Sequence, residues 1–140
     1  YLELEITETT AMQDVDYTTK VLKDLQNMGV QIALDDFGTG YCSLNYLKKF
    51  PLNILKIDKS FVSEMTTDPC ERAIANAVAT LGRDLNLSVV AEGVETQEQL
   101  ECLRELHCQE IQGHYFSPAL SVNDASKLLV NSWLKKAKIA

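Results

Sequence analysis

Hydrophobic positions along the chain change their spacing several times, and each change predicts a new element. Residues 1–7 alternate apolar and polar side chains, which is typical of a strand with one apolar face. Residues 15–28 carry apolar side chains at helical spacing, Gly29 follows as a C-terminal stop, and residues 30–34 predict a second strand. The further predicted elements are a helix over 41–50, a strand over 52–57, a helix from Asp68, a strand over 87–91, a helix from Thr96, a strand over 111–116 and a helix from Ser121 that includes Trp133.

Two of these helix starts carry specific capping signals. Asp68 precedes Pro69 and stands three residues before Glu71, and Thr96 stands three residues before Gln99. Strand and helix then alternate five times, which predicts an α/β fold with parallel strands and helices packed outside them. The two candidate architectures are an open doubly wound sheet and a β/α barrel. No G-x-G-x-x-G motif opens the first helix, which weakens the dinucleotide-binding version of the open sheet.

Composition places the chain among ordinary globular domains. Of its 140 residues, 46% are apolar and 24% charged, and the formal net charge is −7. The acidic balance and the scattered basic residues argue against a nucleic-acid polymer or an anionic membrane surface as partner, although a small anion could bind through metal ions. We find neither a long apolar run nor a charged leader, so we expect no membrane contact by this segment and a cytoplasmic location.

The four cysteines show no spacing that is typical of a zinc site or a disulfide framework. We therefore predict that all of them are reduced, and that His107 ends a helix rather than binding a metal. The cysteines are Cys42, Cys70, Cys102 and Cys108.

Polar residues stand at the carboxyl ends of the five predicted strands. In either architecture these ends meet on one face, which is where ligands bind. Clustered carboxylates repel one another unless a cation neutralises them, and oxygen ligands favour magnesium or manganese over zinc. The adjacent acids Asp35 and Asp36 could bridge two ions in a phosphodiester-cleaving site. The residues at the strand ends are Glu5, Asp35, Lys56 with Asp58, Glu92 and Gln112.

Lys56 is the one cation in this acidic set. Its neighbours Leu55 and Ile57 should face the other way, so Lys56 should point at the site, where the carboxylates keep it protonated. We expect it to position water or stabilise charge on phosphate rather than act as a neutral base. A purely structural alternative remains open, in which the paired aspartates form a turn and Lys56 and Asp58 form an ion pair.

Five ordered motifs resemble the EAL domain, the bacterial phosphodiesterase module specific for cyclic di-GMP. They are LEITE at 4–8, DDFGTGYCSL at 35–44, LKIDKSFV at 55–62, AEGVET at 91–96 and QGHYFSPAL at 112–120. The resemblance implies a partial TIM-type β/α barrel of five βα units, two magnesium or manganese ions, and hydrolysis of cyclic di-GMP to linear pGpG.

The resemblance also implies roles for individual residues. It implies metal ligands at Glu5, Asp35, Asp36, Asp58 and Glu92, and catalytic roles for Lys56, Glu92 and Glu95. Gln112 matches a position at the substrate end of the site. The loop after Asp36 looks like the mobile segment that links metal binding to dimer contacts, supported by Glu8, Thr39 and Gly40.

Some family features are absent. The Glu-Ala-Leu motif and the following asparagine would lie upstream of Tyr1, so we expect residues 1–140 to be the C-terminal portion of an EAL domain. Expected partners are the missing N-terminal half, an upstream sensor or GGDEF domain, and a second copy in a homodimer. Cys42 and His114 stand where serine and a tyrosine or apolar residue are usual.

Two other functions remain open from the sequence. A catalytically silent relative could bind cyclic di-GMP or a protein partner without hydrolysis. Without the resemblance, an enolase-like barrel with magnesium and a lysine would also fit the residues.

Overall fold

The computed structural model describes residues 2–40 and 44–130 of the chain. Five parallel strands form one sheet in the order β1-β2-β3-β4-β5. The strands are β1 (Glu3–Thr7), β2 (Gln31–Phe37), β3 (Ile54–Ile57), β4 (Ser88–Ala91) and β5 (Glu110–Ile111). The helices are α1 (Glu8–Gln13), α2 (Val15–Asn27), α3 (Leu44–Leu47), α4 (Lys59–Glu64), α5 (Pro69–Asp84), α6 (Gln97–Glu105) and α7 (Val122–Val130).

The strand order distinguishes the two architectures considered from the sequence. A doubly wound sheet reverses its strand order at a switch point. Here each strand pairs with the next strand in the sequence, as in a β/α barrel. The predicted α/β class with a parallel sheet is therefore confirmed, and the order is that of a barrel segment.

Most of the core lies between the sheet and the helices. Leu55, Ile57 and Val89 are almost completely buried on the helix-covered face. Helix α5 approaches this face closely at Gly82, where an added Cβ would lie 2.3 Å from a methyl group of Val89. A glycine is needed here because the helix backbone rests directly on the sheet.

At the first edge of the sheet, β1 pairs only with β2 among the described residues. Leu2 and Leu4 are 58% and 39% exposed, so part of the apolar face predicted for this strand is uncovered. Strand β1 leads directly into α1, a helix that the spacing of apolar residues did not predict. The Thr7 side chain caps α1 by accepting a hydrogen bond from Thr10 N–H.

At the other edge, the predicted strand over 111–116 is much shorter. Only Glu110 and Ile111 form β5, and the chain then turns around Val94. Val94 N–H donates to Gln112 O at 3.1 Å, and Tyr115 N–H donates to Val94 O at 2.9 Å. The backbone groups that would extend the strand are thus used to hold the β4–α6 loop.

Several other boundaries follow the sequence closely. Asp68 and Thr96 cap α5 and α6 as predicted, and Thr96 forms the full capping box with Gln99. Of the helix predicted over 41–50, residues 44–47 are helical and 41–43 lie outside the described residues, as does Trp133. In the part of the chain that the structure describes, no helix has the length and apolar character needed to cross a membrane.

Candidate active site

Three carboxylates from three different strand ends converge on the Lys56 ammonium. The Lys56 Nζ lies 2.7 Å from Glu5 Oε1, 3.3 Å from Asp35 Oδ1 and 2.8 Å from Glu92 Oε1. Lys56 is only 3% exposed. The structure therefore brings together four of the residues singled out from the sequence.

Parallel register explains why these side chains meet. Glu5 pairs with Ala33, and Lys56 pairs with Val90. Asp35 and Glu92 stand two positions after Ala33 and Val90, so all four side chains lie at the same end of the sheet. Side chains alternate between the two faces of a strand, and the buried neighbours of Lys56 occupy the helix-covered face. Lys56 consequently points to the opposite face, as predicted.

Two opposing effects act on the pKa of the Lys56 ammonium. Burial alone would lower the pKa, because it disfavours the charged form. Hydrogen bonds to Glu5 and Glu92, with the charges of Glu92 and Asp35, outweigh burial and raise the pKa above its usual range. The lysine is therefore protonated and cannot serve as a neutral base at physiological pH.

A bulge in β2 allows both adjacent aspartates to reach the site. Leu34 pairs with Leu55 and Phe37 with Ile57, so β2 contains one extra residue between these pairs. Asp36 takes up the extra length with a φ of 56°, a left-handed conformation that aspartate tolerates better than most residues. In a regular strand, Asp35 and Asp36 would point to opposite faces.

The second aspartate faces another acid. Burial raises the pKa of Asp36, and the nearby carboxylates of Asp35 and Asp58 raise it further. Burial would also raise the pKa of Asp58, but hydrogen bonds from Ser60 and Lys59 hold it below its usual range. Asp36 and Asp58 are thus two carboxyl groups in contact, and the negative charge of Asp58 disfavours ionisation of Asp36.

The loop after Asp36 is anchored by Glu8. Glu8 is buried at the start of α1, and its Oε2 accepts a hydrogen bond from Gly38 N–H at 3.1 Å. At Gly40, an added Cβ would lie 2.6 Å from Glu8 Oε1, so the loop backbone passes directly over this carboxylate. The Thr39 hydroxyl donates to Asp36 O at 2.8 Å. The three predicted loop residues therefore lie together around the bulge.

The β4–α6 loop carries the last two predicted acids. Glu92 N–H donates to Ile57 O at 3.1 Å, which ties the start of the loop to β3. Gln99 is buried and its Oε1 accepts from Glu95 N–H at 2.7 Å and from Thr96 N–H at 3.0 Å. This role of Gln99 extends the capping box that the sequence predicted.

A cleft opens beside the carboxylate cluster on the β4 and β5 side. Its lining includes Glu92, Glu95 and the exposed Gln112, which places all three predicted residues around one space. The sequence reasoning missed Lys59, which also lines this cleft and whose Nζ lies 3.1 Å from Glu95 Oε1. The sequence could have indicated Lys59, because this residue directly follows the candidate ligand Asp58.

The donor atoms at the site suit a hard divalent cation. All of the candidate ligands are carboxylates, which magnesium and manganese prefer. The close contact between Asp36 and Asp58 is one that a cation would relieve. Within residues 2–40 and 44–130, no three acidic, histidine or cysteine side chains are already grouped as metal ligands.

The three described cysteines and His107 are not among the partners of Lys56 in the carboxylate cluster. Cys70, Cys102 and Cys108 are free thiols, as predicted, and Cys42 lies outside the described residues. His107 follows α6 with a φ of 55°, which agrees with its predicted place at a helix end.

Comparison with known proteins gives a consistent family assignment. The model of the EAL domain family matches residues 1–119. The chain is 52% identical over 113 residues to the bifunctional diguanylate cyclase/cyclic di-GMP phosphodiesterase MucR of Pseudomonas aeruginosa, covering 81% of this chain and 16% of that protein. The chain thus spans less than a fifth of the length of this curated relative.

Solved structures agree with the sequence match. A MucR phosphodiesterase in complex with c-di-GMP superposes with a TM-score of 0.85 at 48% identity, covering 89% of this chain and 50% of that one. A Klebsiella pneumoniae BlrP1 complex with manganese and cyclic di-GMP superposes with a TM-score of 0.77 at 37% identity, covering 83% of this chain and 30% of that one.

Proposed function

This chain belongs to the EAL domain family, and we propose that its site hydrolyses one phosphodiester bond of cyclic di-GMP to give linear pGpG. The observation that supports this most is the convergence of Glu5, Asp35 and Glu92 on the buried Lys56 ammonium. Family membership removes the enolase-like alternative. MucR, the relative described above, is named a cyclic di-GMP phosphodiesterase and supports the substrate.

Two divalent ions, magnesium or manganese, would be held by the carboxylates. The five candidate ligands and Lys56 carry a formal charge of −4, which two divalent cations would balance. When bound, such ions activate water and neutralise charge on phosphate. BlrP1, the Klebsiella relative, is described with manganese and cyclic di-GMP. The proposed ligands are Glu5, Asp35, Asp36, Asp58 and Glu92.

The other site residues act through charge and position. Lys56 stays protonated, so it would hold the attacking water or a phosphate oxygen by donating hydrogen bonds. Glu92 and Glu95 would orient the water from the β4–α6 loop, and Gln112 would contact the substrate from the cleft they share. Glu8, Thr39 and Gly40 would fix the loop after Asp36.

Binding without hydrolysis is the second candidate function. The observation that favours it is that Lys56 offsets part of the carboxylate charge through its contacts with Glu5 and Glu92, so binding in the neighbouring cleft would not require metal ions. Such a protein would hold cyclic di-GMP in the same cleft and use it to control a partner.

The wider arrangement is also a proposal. Because the chain covers half of the solved MucR chain and contains no Glu-Ala-Leu motif, we take residues 1–140 as the C-terminal portion of an EAL domain. An N-terminal half would complete the barrel, and a sensor or GGDEF domain would precede it. MucR is named as bifunctional with a diguanylate cyclase, which supports this arrangement. A homodimer and a cytoplasmic location complete the proposal.

The test uses the natural polypeptide that contains residues 1–140. With manganese, we expect chromatography and mass spectrometry to show conversion of cyclic di-GMP to pGpG. Asp35→Asn keeps the shape of the side chain and removes its charge, so turnover should fall by at least about a hundredfold. Asp84→Asn, at the exposed end of α5, is the matched control and should retain full activity.

Each contrary result has a clear meaning. Binding of cyclic di-GMP without any product would favour the silent module. An absence of both binding and turnover would contradict the proposed function, and so would equal activity in Asp35→Asn and the unsubstituted protein.

A further inference from the structure

The Lys59 side chain connects two segments that each carry a candidate metal ligand. It is the first residue of α4, directly after the candidate ligand Asp58, and its ammonium pairs with Glu95 in the β4–α6 loop at 3.1 Å. Both side chains line the cleft that also contains Glu92 and Gln112. The pair therefore joins the end of β3 to the loop after β4 at the mouth of the candidate site.

The hydrocarbon stem of Lys59 makes a second, independent contact with this loop. A Cβ added at Gly93 would lie 2.4 Å from Lys59 Cγ and 2.9 Å from Lys59 Cδ. The stem thus lies directly on the Gly93 backbone, which has a φ of 70°. Glycine at this position both permits the left-handed conformation and leaves room for the lysine stem.

The loop backbone is already held from other directions. Gln99 accepts hydrogen bonds from Glu95 and Thr96, and Val94 is bonded to Gln112. These contacts hold the main chain at Val94, Glu95 and Thr96 but do not set the direction of the Glu95 carboxylate. Lys59 supplies such an interaction, since its ammonium meets the Glu95 carboxylate from across the cleft.

Stability alone does not account for this arrangement. The Lys59 and Glu95 side chains are 62% and 49% exposed, and exposed ion pairs contribute little to folding. Holding one carboxylate in one direction beside a reacting group can nevertheless change turnover, because small displacements of positioned groups reduce rates strongly. The contact is therefore better explained by orientation than by stabilisation.

We propose that Lys59 is a positioning residue, whose stem braces the β4–α6 loop at Gly93 and whose ammonium aims the Glu95 carboxylate at the cleft. This inference rests on the proposed function only in assuming that Glu95 helps orient the attacking water. Lys59 itself is not assigned a contact with the substrate or a metal ion. Its effect on turnover should therefore pass through Glu95.

Kinetics on the natural polypeptide test the ammonium. Lys59→Met keeps most of the stem and removes the charge, so kcat should fall roughly three- to tenfold while KM stays within about twofold. Lys59→Arg should restore most of the lost kcat because it keeps the charge. Arg72→Met is the matched control, since it removes an exposed ion pair with Glu105 between α5 and α6, and should leave kcat unchanged.

A double-mutant cycle with Glu95→Gln decides whether Lys59 acts through Glu95. If it does, Lys59→Met should cause little further loss in the Glu95→Gln background. Fully additive losses would show that Lys59 does not act through Glu95, and a change confined to KM would indicate a role in substrate binding; either result would overturn the inference. A failure of Lys59→Arg to recover activity would also count against it.

Amide hydrogen exchange tests the stem without any turnover. Lys59→Ala removes both the stem and the ammonium, so peptides covering residues 93–96 should exchange faster than in an Arg72→Ala control. Unchanged exchange would overturn the bracing role. If the unsubstituted protein forms no pGpG, the proposed function fails, and the exchange result still decides whether Lys59 holds this loop.

Discussion

At the scale of single residues, Lys56 supplies the positive charge that offsets repulsion within the carboxylate cluster. Three acids from β1, β2 and the loop after β4 share its single ammonium, and its near-complete burial limits any help from solvent. An unpaired buried charge is costly, whereas a charge with several hydrogen-bonded partners is not. Removing either the lysine or the acids would therefore leave uncompensated charge in the cluster.

Replacing Lys56 by methionine should destabilise the fold. The substitution keeps most of the side-chain volume but leaves Asp35 and Glu92, both largely buried, without their cation. We expect a loss of about 1–3 kcal/mol in the free energy of unfolding. Thermal and urea unfolding of residues 1–140, followed by circular dichroism, would measure it. Lys20→Met, on the exposed side of α2, serves as control, and equal stabilities would contradict the expectation.

The thiols should differ sharply in reactivity. Cys108 is 1% exposed, and burial raises its pKa to about 11, so its thiolate is scarce at pH 8. Cys70 lies exposed in the first turn of α5. In the folded chain, iodoacetamide at pH 8 should label Cys70 and spare Cys108, and urea should abolish the difference. Peptide mass spectrometry resolves the sites, and equal labelling in the folded chain would refute the prediction.

At the scale of elements, the capping signals of α5 and α6 were readable from the sequence, whereas the short helices α1 and α4 and the non-local pairings were not. Asp68 and Thr96 cap their helices because capping depends only on residues within one turn. The bulge at Asp36 depends on how β2 pairs with β3, which a single sequence does not encode as a pattern. The same holds for β5, where contacts with Val94 end the predicted strand early.

The close contact between α5 and the sheet predicts that a glycine-to-alanine substitution in this helix will destabilise the fold. Gly→Ala inside a helix normally stabilises it by about 1 kcal/mol. At Gly82 the new methyl group would collide with Val89, so Gly82→Ala should instead destabilise the chain by about 1–3 kcal/mol. Urea unfolding measures the change, and Asn76→Ala on the exposed side of α5 is the control.

A second variant tests the cause of that loss. Val89→Ala removes the methyl groups that Gly82→Ala would strike, so the double variant should lose less than the two single losses combined. A stabilising effect of Gly82→Ala, or strict additivity with Val89→Ala, would show that the two elements are not in the close contact described.

At the scale of the whole molecule, most of the candidate site could be predicted because parallel strands gather their carboxyl ends. Glu5, Asp35, Lys56 and Glu92 are far apart in sequence, yet topology alone brings them to one place. What topology could not give is the side-chain detail around them, such as Lys59 against Gly93 or Gln99 beneath Glu95. These contacts depend on rotamers and loop paths that apolar spacing does not record.

The open sheet leads to a final prediction about residues 1–140 on their own. Glu5 lies on β1, an edge strand whose outer side has no partner among the described residues, and its side chain is half exposed. Edge strands lack the hydrogen bonds that hold a central strand in place, so this proposed ligand is the least well fixed of the cluster. We therefore expect residues 1–140 alone to bind manganese weakly and to hydrolyse cyclic di-GMP slowly or not at all.

The measurement is a side-by-side assay of residues 1–140 and the natural polypeptide that contains them, at equal concentrations and saturating manganese. Chromatography would follow pGpG, and calorimetry would follow manganese binding. Comparable turnover in both would show that the strand edge at β1 does not limit the site, because the same five strands would then suffice to hold every group the reaction needs.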